Sequence, residues 1–331
     1  MTPSTYRPKV SIVMSFCNEP LQWIRFAVES IMKQTFTDFE VIIVCDNPKY
    51  TEGIEYIKGL SDGRIKLLLN QKNLGPTKSF NTGISASCGE YIAKMDADDI
   101  SLPERLAKQV EYLDAHPEIS VCATDVHRIS PEGKIIRRNR YRNKRDQSLL
   151  LIQNCIAHPS VMYRRSLLEL RDPLYNEDFK YAQDYELWQF LTLKGCRIHT
   201  LEEALLLYRN SPQQISRAKR STQAGFFKKA HKAFVTQWLI SHYIIDADDT
   251  SDLKVMLAKC SHAYSSGSDN ECRKNLAHII YVLYFALGTG SPGYRLRYLF
   301  DRNLIAFHHR FVYSFRLLFS RKSRHNRNGF I

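Results

Sequence analysis

The chain has 331 residues, with 47 Lys+Arg against 34 Asp+Glu, a formal net charge of +13, 44% hydrophobic and 24% charged residues. That balance belongs to a folded globular protein and excludes a disordered chain, a collagen-like fibre and a small disulfide-stapled domain. At roughly 100–200 residues per domain, the length predicts one large domain, or a domain with an appendage.

The N-terminus, MTPSTYRPKV, has no apolar run behind a basic cluster, so no secretory signal is expected. Strands are predicted at residues 10–16, 39–45, 65–69 and 91–95, alternating with helices at 23–34, 53–60 and 77–88. Continuous apolar strands that alternate with helices predict a parallel sheet covered on both faces. In such sheets ligands sit at the carboxyl ends of the strands. The polar residues follow that rule. Asn18 and Glu19 come after the first strand, Asp46 and Asn47 after the second, and Asp96, Asp98 and Asp99 after the fourth. Asn18 reads equally well as a helix cap, but capping does not explain three carboxylates within four residues.

Beyond Pro103 a helix is expected to residue 114, with Pro103 in its first turn and Arg105 near its start, then a strand at 120–123. Pro131-Glu132-Gly133 reads as a hairpin turn between His127-Arg128 and Lys134-Ile135-Ile136. Residues 134–145 hold seven basic side chains (Lys134, Arg137, Arg138, Arg140, Arg142, Lys144 and Arg145) and no acid. They suit either a solvated loop or a clamp for a phosphate-bearing partner. From about residue 217 strand signals give way to helical periodicity, so the domain boundary is placed at 216, with breaks at 265–268 and 288–293.

The eight cysteines have no zinc-site spacing and read as reduced thiols of a cytosolic compartment. The longest apolar stretch, 279–287, is far short of the ~20 residues a membrane span needs. Residues 291–331 contain nine Lys/Arg and one acid, Asp301, and so carry a net +8. Leu296, Phe300, Leu304, Phe307, Phe311, Phe315 and Leu318 recur there at intervals of three and four. That pattern predicts a helix lying on an anionic membrane surface, with a core helix packed on the N-terminal domain as the alternative. No nucleic-acid module is recognisable, and nucleic acid is not expected as a partner.

Asp96 and Asp98 lie where a buried strand opens into a loop, so their carboxylates can converge on Mg²⁺ or Mn²⁺ whose remaining ligands come from water or a diphosphate. There is no P-loop Gly-Lys-Ser/Thr and no GxGxxG after the first strand, which argues against a P-loop kinase and a dinucleotide oxidoreductase. A nucleoside-diphosphate donor is the economical inference.

Seven segments, VSIVMSFCNEP, VIIVCDNP, NLGPTKSFNTGI, GEYIAKMDADDISLPERL, IAHPSVMYRRSLL, YAQDYELWQFLTLKG and ALLLYRNSPQQIS, occur in this order across about residues 8–216. Together they resemble the family 2 inverting glycosyltransferases. The resemblance implies an α/β GT-A fold, Rossmann-like, with a mostly parallel sheet, over 1–216, followed by a helical, basic region at 217–331. It implies transfer of a sugar from a nucleotide donor, UDP-linked, to a glycan or lipid-linked acceptor in surface polysaccharide synthesis at the cytoplasmic face of the membrane.

Position by position, the resemblance puts Ser15, Cys17 and Glu19 at the nucleoside loop, and Asp46 on the base. Asp96, Ala97 and Asp98 fall in the metal and diphosphate motif, and Asp184 at the catalytic base. Asn73, Lys78 and Asn81 either position the diphosphate or brace the loop, with Lys78 reading equally as a surface helix residue. His158 and Gln183 fall on the acceptor side, with a satisfied structural histidine as the alternative for His158. Asp184 also reads as a helix cap, and a carboxylate can fill both roles. Trp188 reads as core. The chain departs from the family pattern at Cys45, where an aspartate is usual, at Cys17, where an aromatic is common, and at Ser211, where a histidine is usual. Two other readings stand beside this one. A nucleotidyltransferase would release pyrophosphate in place of a nucleoside diphosphate, and an inactive binding protein would keep the fold without turnover.

Overall fold

A computed structural model describes residues 7–138, 150, 154–211, 220–241, 255, 259, 260, 262 and 263. The chain divides into two compact units, Met1–Trp238 and Leu239–Ile331.

In the first unit the strand β1 (Val10–Phe16) is buried on both sides. Val10, Ile12, Met14 and Phe16 enter one buried cluster, while Val13 enters a second on the opposite face. Such a strand must sit inside a sheet with helices on both faces. It pairs in parallel with β2 (Phe39–Cys45) and β4 (Tyr91–Asp96), and β2 pairs in parallel with β3 (Ile65–Leu69). The helices α1 (Leu21–Met32) and α2 (Thr51–Lys58) bury Ile24, Val28, Ile31, Ile54 and Ile57 in the first cluster. The helix α3 (Pro76–Ser85) buries Phe80 and Ile84 in the second. It lies so close to the sheet that a Cβ at Gly83 would stand 2.4 Å from Val13 Cγ1.

The loop after β4 leads through the two-residue strand β5 (Ile100–Ser101) to α4 (Arg105–Ala115) and the long strand β6 (Ile119–Ile129). A turn with Gly133 at φ +89° returns the chain as β7 (Ile135–Arg138), so the expected hairpin is present. Then come a 3-10 turn at His158–Ser160, β8 (Met162–Arg164), α5 (Gln183–Leu193), β9 (Arg197–Arg209) and α6 (Arg220–Ser241). The sheet order is β3-β2-β1-β4-β8-β6-β9-β5, with β7 beside β6.

One feature of this order positions the site. β8 is antiparallel to both β4 and β6, so the two reversals cancel and β6 runs in the direction of β4. The carboxyl ends of β1, β2, β4 and β6 therefore open on one edge.

The observed helices differ from the expected spans by a turn or less. Pro103 lies outside α4, in the turn before it, where its carbonyl accepts from Thr35 N–H. Strand β6 is far longer than 120–123 because Val126 and Ile129 continue its buried face. The strands β5 and β8 are too short to leave a periodic signal, and β9 is only partly buried and alternates poorly. Trp188 is fully buried, as core. On α6, Phe227 stacks on Tyr185 at 4.2 Å and Phe226 meets Phe179 at 6.2 Å, so the start of this helix belongs to the first unit's core.

In the second unit, 255, 259, 260, 262 and 263 are helical, and Cys260 is buried. No disulfide joins the cysteines among the described residues, and among those residues no helix is long and apolar enough to cross a membrane. The breaks at 265–268 and 288–293, the apolar run 279–287, Cys272, the basic residues 139–145 and the apolar-basic segment 291–331 lie outside the described residues.

Candidate active site

The buried strand β4 delivers Asp96 to the edge of the sheet, and the loop that follows brings Asp98 and Asp99 beside it. Carboxylate oxygens of the three lie within 4.8 Å of one another. Burial, with the charges of Asp96 and Glu19, pushes the Asp98 carboxyl up to about 7. Burial, then the charge of Asp98, raises Asp99 well above the usual carboxylate range. Arg209 pins this loop from beneath. Its backbone N–H donates to Asp99 Oδ1 at 2.8 Å, and its Nε donates to the Asp98 carbonyl at 2.6 Å. Its guanidinium also stacks on Trp23 at 5.1 Å.

Three crowded carboxyl groups, two of them (Asp98 and Asp99) raised by burial, fit a hard divalent cation, which would offset their crowding. The donors are all oxygen, which suits Mg²⁺ or Mn²⁺. Asp96 and Asp98 line the cleft and are the ones placed to hold the ion, whereas Asp99 is fully buried.

On the β1–β2 side the polar groups bond to one another. Asp46, only 4% exposed, accepts from Asn70 Nδ2, Leu74 N–H and Gly75 N–H at 2.8–2.9 Å. It thereby ties the end of β2 to the start of α3, where Gly75 adopts φ +87°. Glu19 accepts from the amides of Cys17 and Asn18 at 2.7 and 3.1 Å, and burial raises its carboxyl. Asn73 donates to Cys17 Sγ at 3.1 Å. Burial raises the Cys17 thiol too, so it is a neutral surface for a ligand here.

Asp184 stands in the first turn of α5, where the helix dipole favours a carboxylate. It accepts from Asn154 Nδ2 at 2.6 Å, and burial pushes its pKa up. His158 packs among Phe80, Tyr175 and Trp188, with Nε2 2.9 Å from the Tyr175 hydroxyl. Burial, helped by the charge of Lys94, holds it well below the usual histidine range and so neutral. Lys94, whose side chain is 8% exposed, forms an ion pair with Asp96 and lies 5.0 Å from the Phe80 ring.

A single cleft of about 1070 Å³ is lined by Ser15, Cys17, Glu19, Asp46, Asn73, Asp96, Ala97, Asp98, His158, Gln183 and Asp184. Its size reaches the upper end of the ~300–1,000 Å³ typical of single-ligand pockets and leaves room for two substrates. Lys78 does not line it. Its ammonium pairs with Glu177 at 3.2 Å, because its position on α3 faces away from the cleft.

The Glycosyl transferase family 2 model matches residues 11–171. A glycosyltransferase of Methanocaldococcus jannaschii is 34% identical over 228 residues, which span 67% of this chain and 78% of that one. The chain belongs to glycosyl transferase family 2. The O-antigen biosynthesis glycosyltransferase WbnJ of Escherichia coli is 30% identical over 195 residues, 57% of this chain and 74% of that protein. In fold, the glycosyltransferase resembles Staphylococcus aureus TarS 1-349, solved in complex with UDP-GlcNAc. The TM-score is 0.57 at 18% identity, covering 84% of this chain and 81% of that one. The likeness supports the GT-A architecture.

Several cleft residues of this family 2 member were not singled out by the sequence: Lys94, Asn154, Tyr175, Lys180, Tyr208 and Arg128. Lys94 had a usable signal, a lysine inside an otherwise apolar strand, two residues before Asp96 and hence on the same face. Arg128 and Tyr208 had none, because only strand register brings them together, as partners across β6 and β9.

Proposed function

We propose that the enzyme is a metal-dependent, inverting glycosyltransferase that moves one sugar from a nucleoside-diphosphate donor, with UDP as carrier, to a glycan or lipid-linked acceptor in surface polysaccharide assembly. The observation that carries this reading is that buried Asp184 opens into the same cleft as the Asp96–Asp98 pair. A sugar hydroxyl is a poor nucleophile at neutral pH and needs a base within reach. Asp184, held by Asn154 and raised by burial, binds a proton more strongly than an ordinary carboxylate does. Bound at Asp96 and Asp98, Mg²⁺ or Mn²⁺ would supply Lewis-acid stabilisation of the leaving diphosphate. Attack from the side opposite the leaving group inverts the anomeric carbon.

Ser15, Cys17 and Asp46 lie at the edge shared by β1 and β2 and are assigned to the nucleoside, with Asp46 also holding the loop that shapes its site, while Asn73, which donates to Cys17, is assigned to the diphosphate. His158 and Gln183 are assigned to the acceptor side. Surface polysaccharide is supported by the O-antigen role in the name of the E. coli relative, and UDP by the ligand of the TarS complex. The sequence of 291–331 supports peripheral attachment to the cytoplasmic leaflet. Deletion from residue 291 should release the protein from anionic vesicles in a flotation assay, and undiminished binding would remove the tail from the proposal.

The test of the activity is turnover of a panel of nucleotide sugars with Mn²⁺, with and without chelator, and analysis of the products. Release of a nucleoside diphosphate that stops on chelation is expected. Pyrophosphate as product, or no donor turned over, would overturn the reading.

A further inference from the structure

Two arginines face each other across the β6–β7 hairpin at the rim of the cleft. Arg128 and Arg137 are register partners. Side chains directly opposite on one face of an antiparallel pair are neighbours, and like charges there are destabilising. On its other side Arg128 is the register partner of Tyr208, and its guanidinium lies 5.6 Å from that ring. Three strands thus present Arg137, Arg128 and Tyr208 in a row. Neither arginine forms a hydrogen bond or ion pair with a carboxylate among the described residues, and Arg128 Nε is buried without a partner. Arg128 lines the cleft while Arg137 is exposed.

Position decides which substrate such a pair would meet. β6 runs parallel to β4, so Arg128 reaches the same edge as Asp96, yet it lies on the far side of β4 from β1 and β2. The nucleoside loop and the metal loop therefore occupy one side, and the arginine pair the other. Guanidinium groups present forked donors that match phosphate and carboxylate oxygens. Two facing arginines with Lys134 close in sequence match the double charge of a phosphate better than a single carboxylate.

We infer that Arg128 and Arg137 form an acceptor-side anion site that binds a phosphate or diphosphate group carried by the acceptor. This rests on the proposed function, because it takes the β1–β4 side of the cleft for the nucleotide donor. The site holds the acceptor's charged end on the β6–β7 rim while its hydroxyl enters the cleft towards Asp184.

The full-length protein, saturated with UDP and Mn²⁺ so that the donor's diphosphate position is filled, should bind geranyl diphosphate and not geraniol. Inorganic pyrophosphate as a further probe separates a lipid carrier from a free phosphate: tighter binding of geranyl diphosphate assigns the carrier, and equal binding assigns the phosphate alone. Arg128→Gln and Arg137→Glu should each weaken the phosphorylated probes at least tenfold, with UDP affinity within about twofold of wild type. Arg137→Glu carries a second readout, because it converts a like-charge pair into an ion pair. It should raise the melting temperature of the probe-free protein while abolishing probe binding.

Unchanged probe affinity in both variants would overturn the inference. So would a parallel loss of UDP affinity, which would assign the arginines to the donor. A protein that binds no nucleotide at all would instead strike the proposed function. The arginine comparison would then be read on the metal-free, nucleotide-free protein, with the same outcomes deciding it.

Discussion

The two sides of the cleft are finished to different degrees. On the β1–β2 side each carboxylate already has protein donors: Asp46 accepts three hydrogen bonds and Glu19 accepts two backbone amides. On the β6 and α5 side, Gln183 Oε1 and Arg128 Nε are buried without partners, and Arg128 faces Arg137. A buried polar group without a partner costs about 1–3 kcal/mol. In the proposed reading, a ligand would remove that penalty: the first half is a prebuilt frame for the donor, and the other offers unmet bonding groups to the acceptor. Between them lies the Asp96–Asp98–Asp99 cluster, whose repulsion a cation would relieve.

The largest expected effect tests the division directly. Asp184→Asn keeps the shape and the Asn154 contact but removes proton acceptance, so transfer should fall by about 10²–10⁴ while nucleotide affinity stays near wild type. Steady-state transfer kinetics alongside nucleotide titration check this. Turnover within a few-fold of wild type would remove Asp184 as the base, and a matching loss of nucleotide affinity would erase the distinction between the two sides.

The second effect concerns the cluster between them. Because the Asp98 carboxyl titrates at about 7 in the metal-free protein, a cation must displace its proton below that pH. Apparent Mn²⁺ affinity should therefore drop by up to about tenfold per pH unit below 7 and level off above it. The sign for stability is opposite in the metal-free protein. A carboxyl whose folded pKa is raised above its unfolded value contributes stability at low pH, and this is lost as pH rises from about 4 through about 7. The gain in melting temperature on adding Mn²⁺ should accordingly grow between pH 5.5 and 8. A gain that is flat with pH would show that Asp98 does not titrate against the ion.

Both effects bear on how much of the molecule its sequence discloses. The parallel core was legible because β1, β2 and β4 are predominantly apolar runs and each is followed by acids or amides. Asp96 and Asp98 stood out as carboxylates after the fourth predicted strand, Asp184 stood out only through the ordered segments, and the structure sets all three along one cleft. Three things were hidden. The place of β6 in the sheet depends on a three-residue strand, β8, that lies antiparallel between β4 and β6 without leaving a hydropathy pattern. The Arg128–Arg137 pairing depends on hairpin register, which becomes visible only when the strands are laid side by side. Lys78 read either as a diphosphate contact or as a surface helix residue, and only its position on α3, paired with Glu177, decides for the surface.

The smallest effect separates binding from framing on the nucleoside side. Asp46 is assigned to the nucleoside in the proposed function, yet both its oxygens are taken by Asn70, Leu74 and Gly75. Asp46→Ala leaves those buried donors unmet and should cost about 1–3 kcal/mol of stability in denaturant unfolding before any ligand is added. Asp46→Asn keeps one acceptor oxygen but turns an NH₂ towards at least one of the three donors, so it should recover only part of that loss. If Asp46 acts chiefly as a frame, nucleotide affinity should follow stability across the two variants. A loss of affinity in Asp46→Asn far beyond its loss of stability would mean that the carboxylate touches the base directly, and that the nucleoside side, like the acceptor side, keeps a bond in reserve for its substrate.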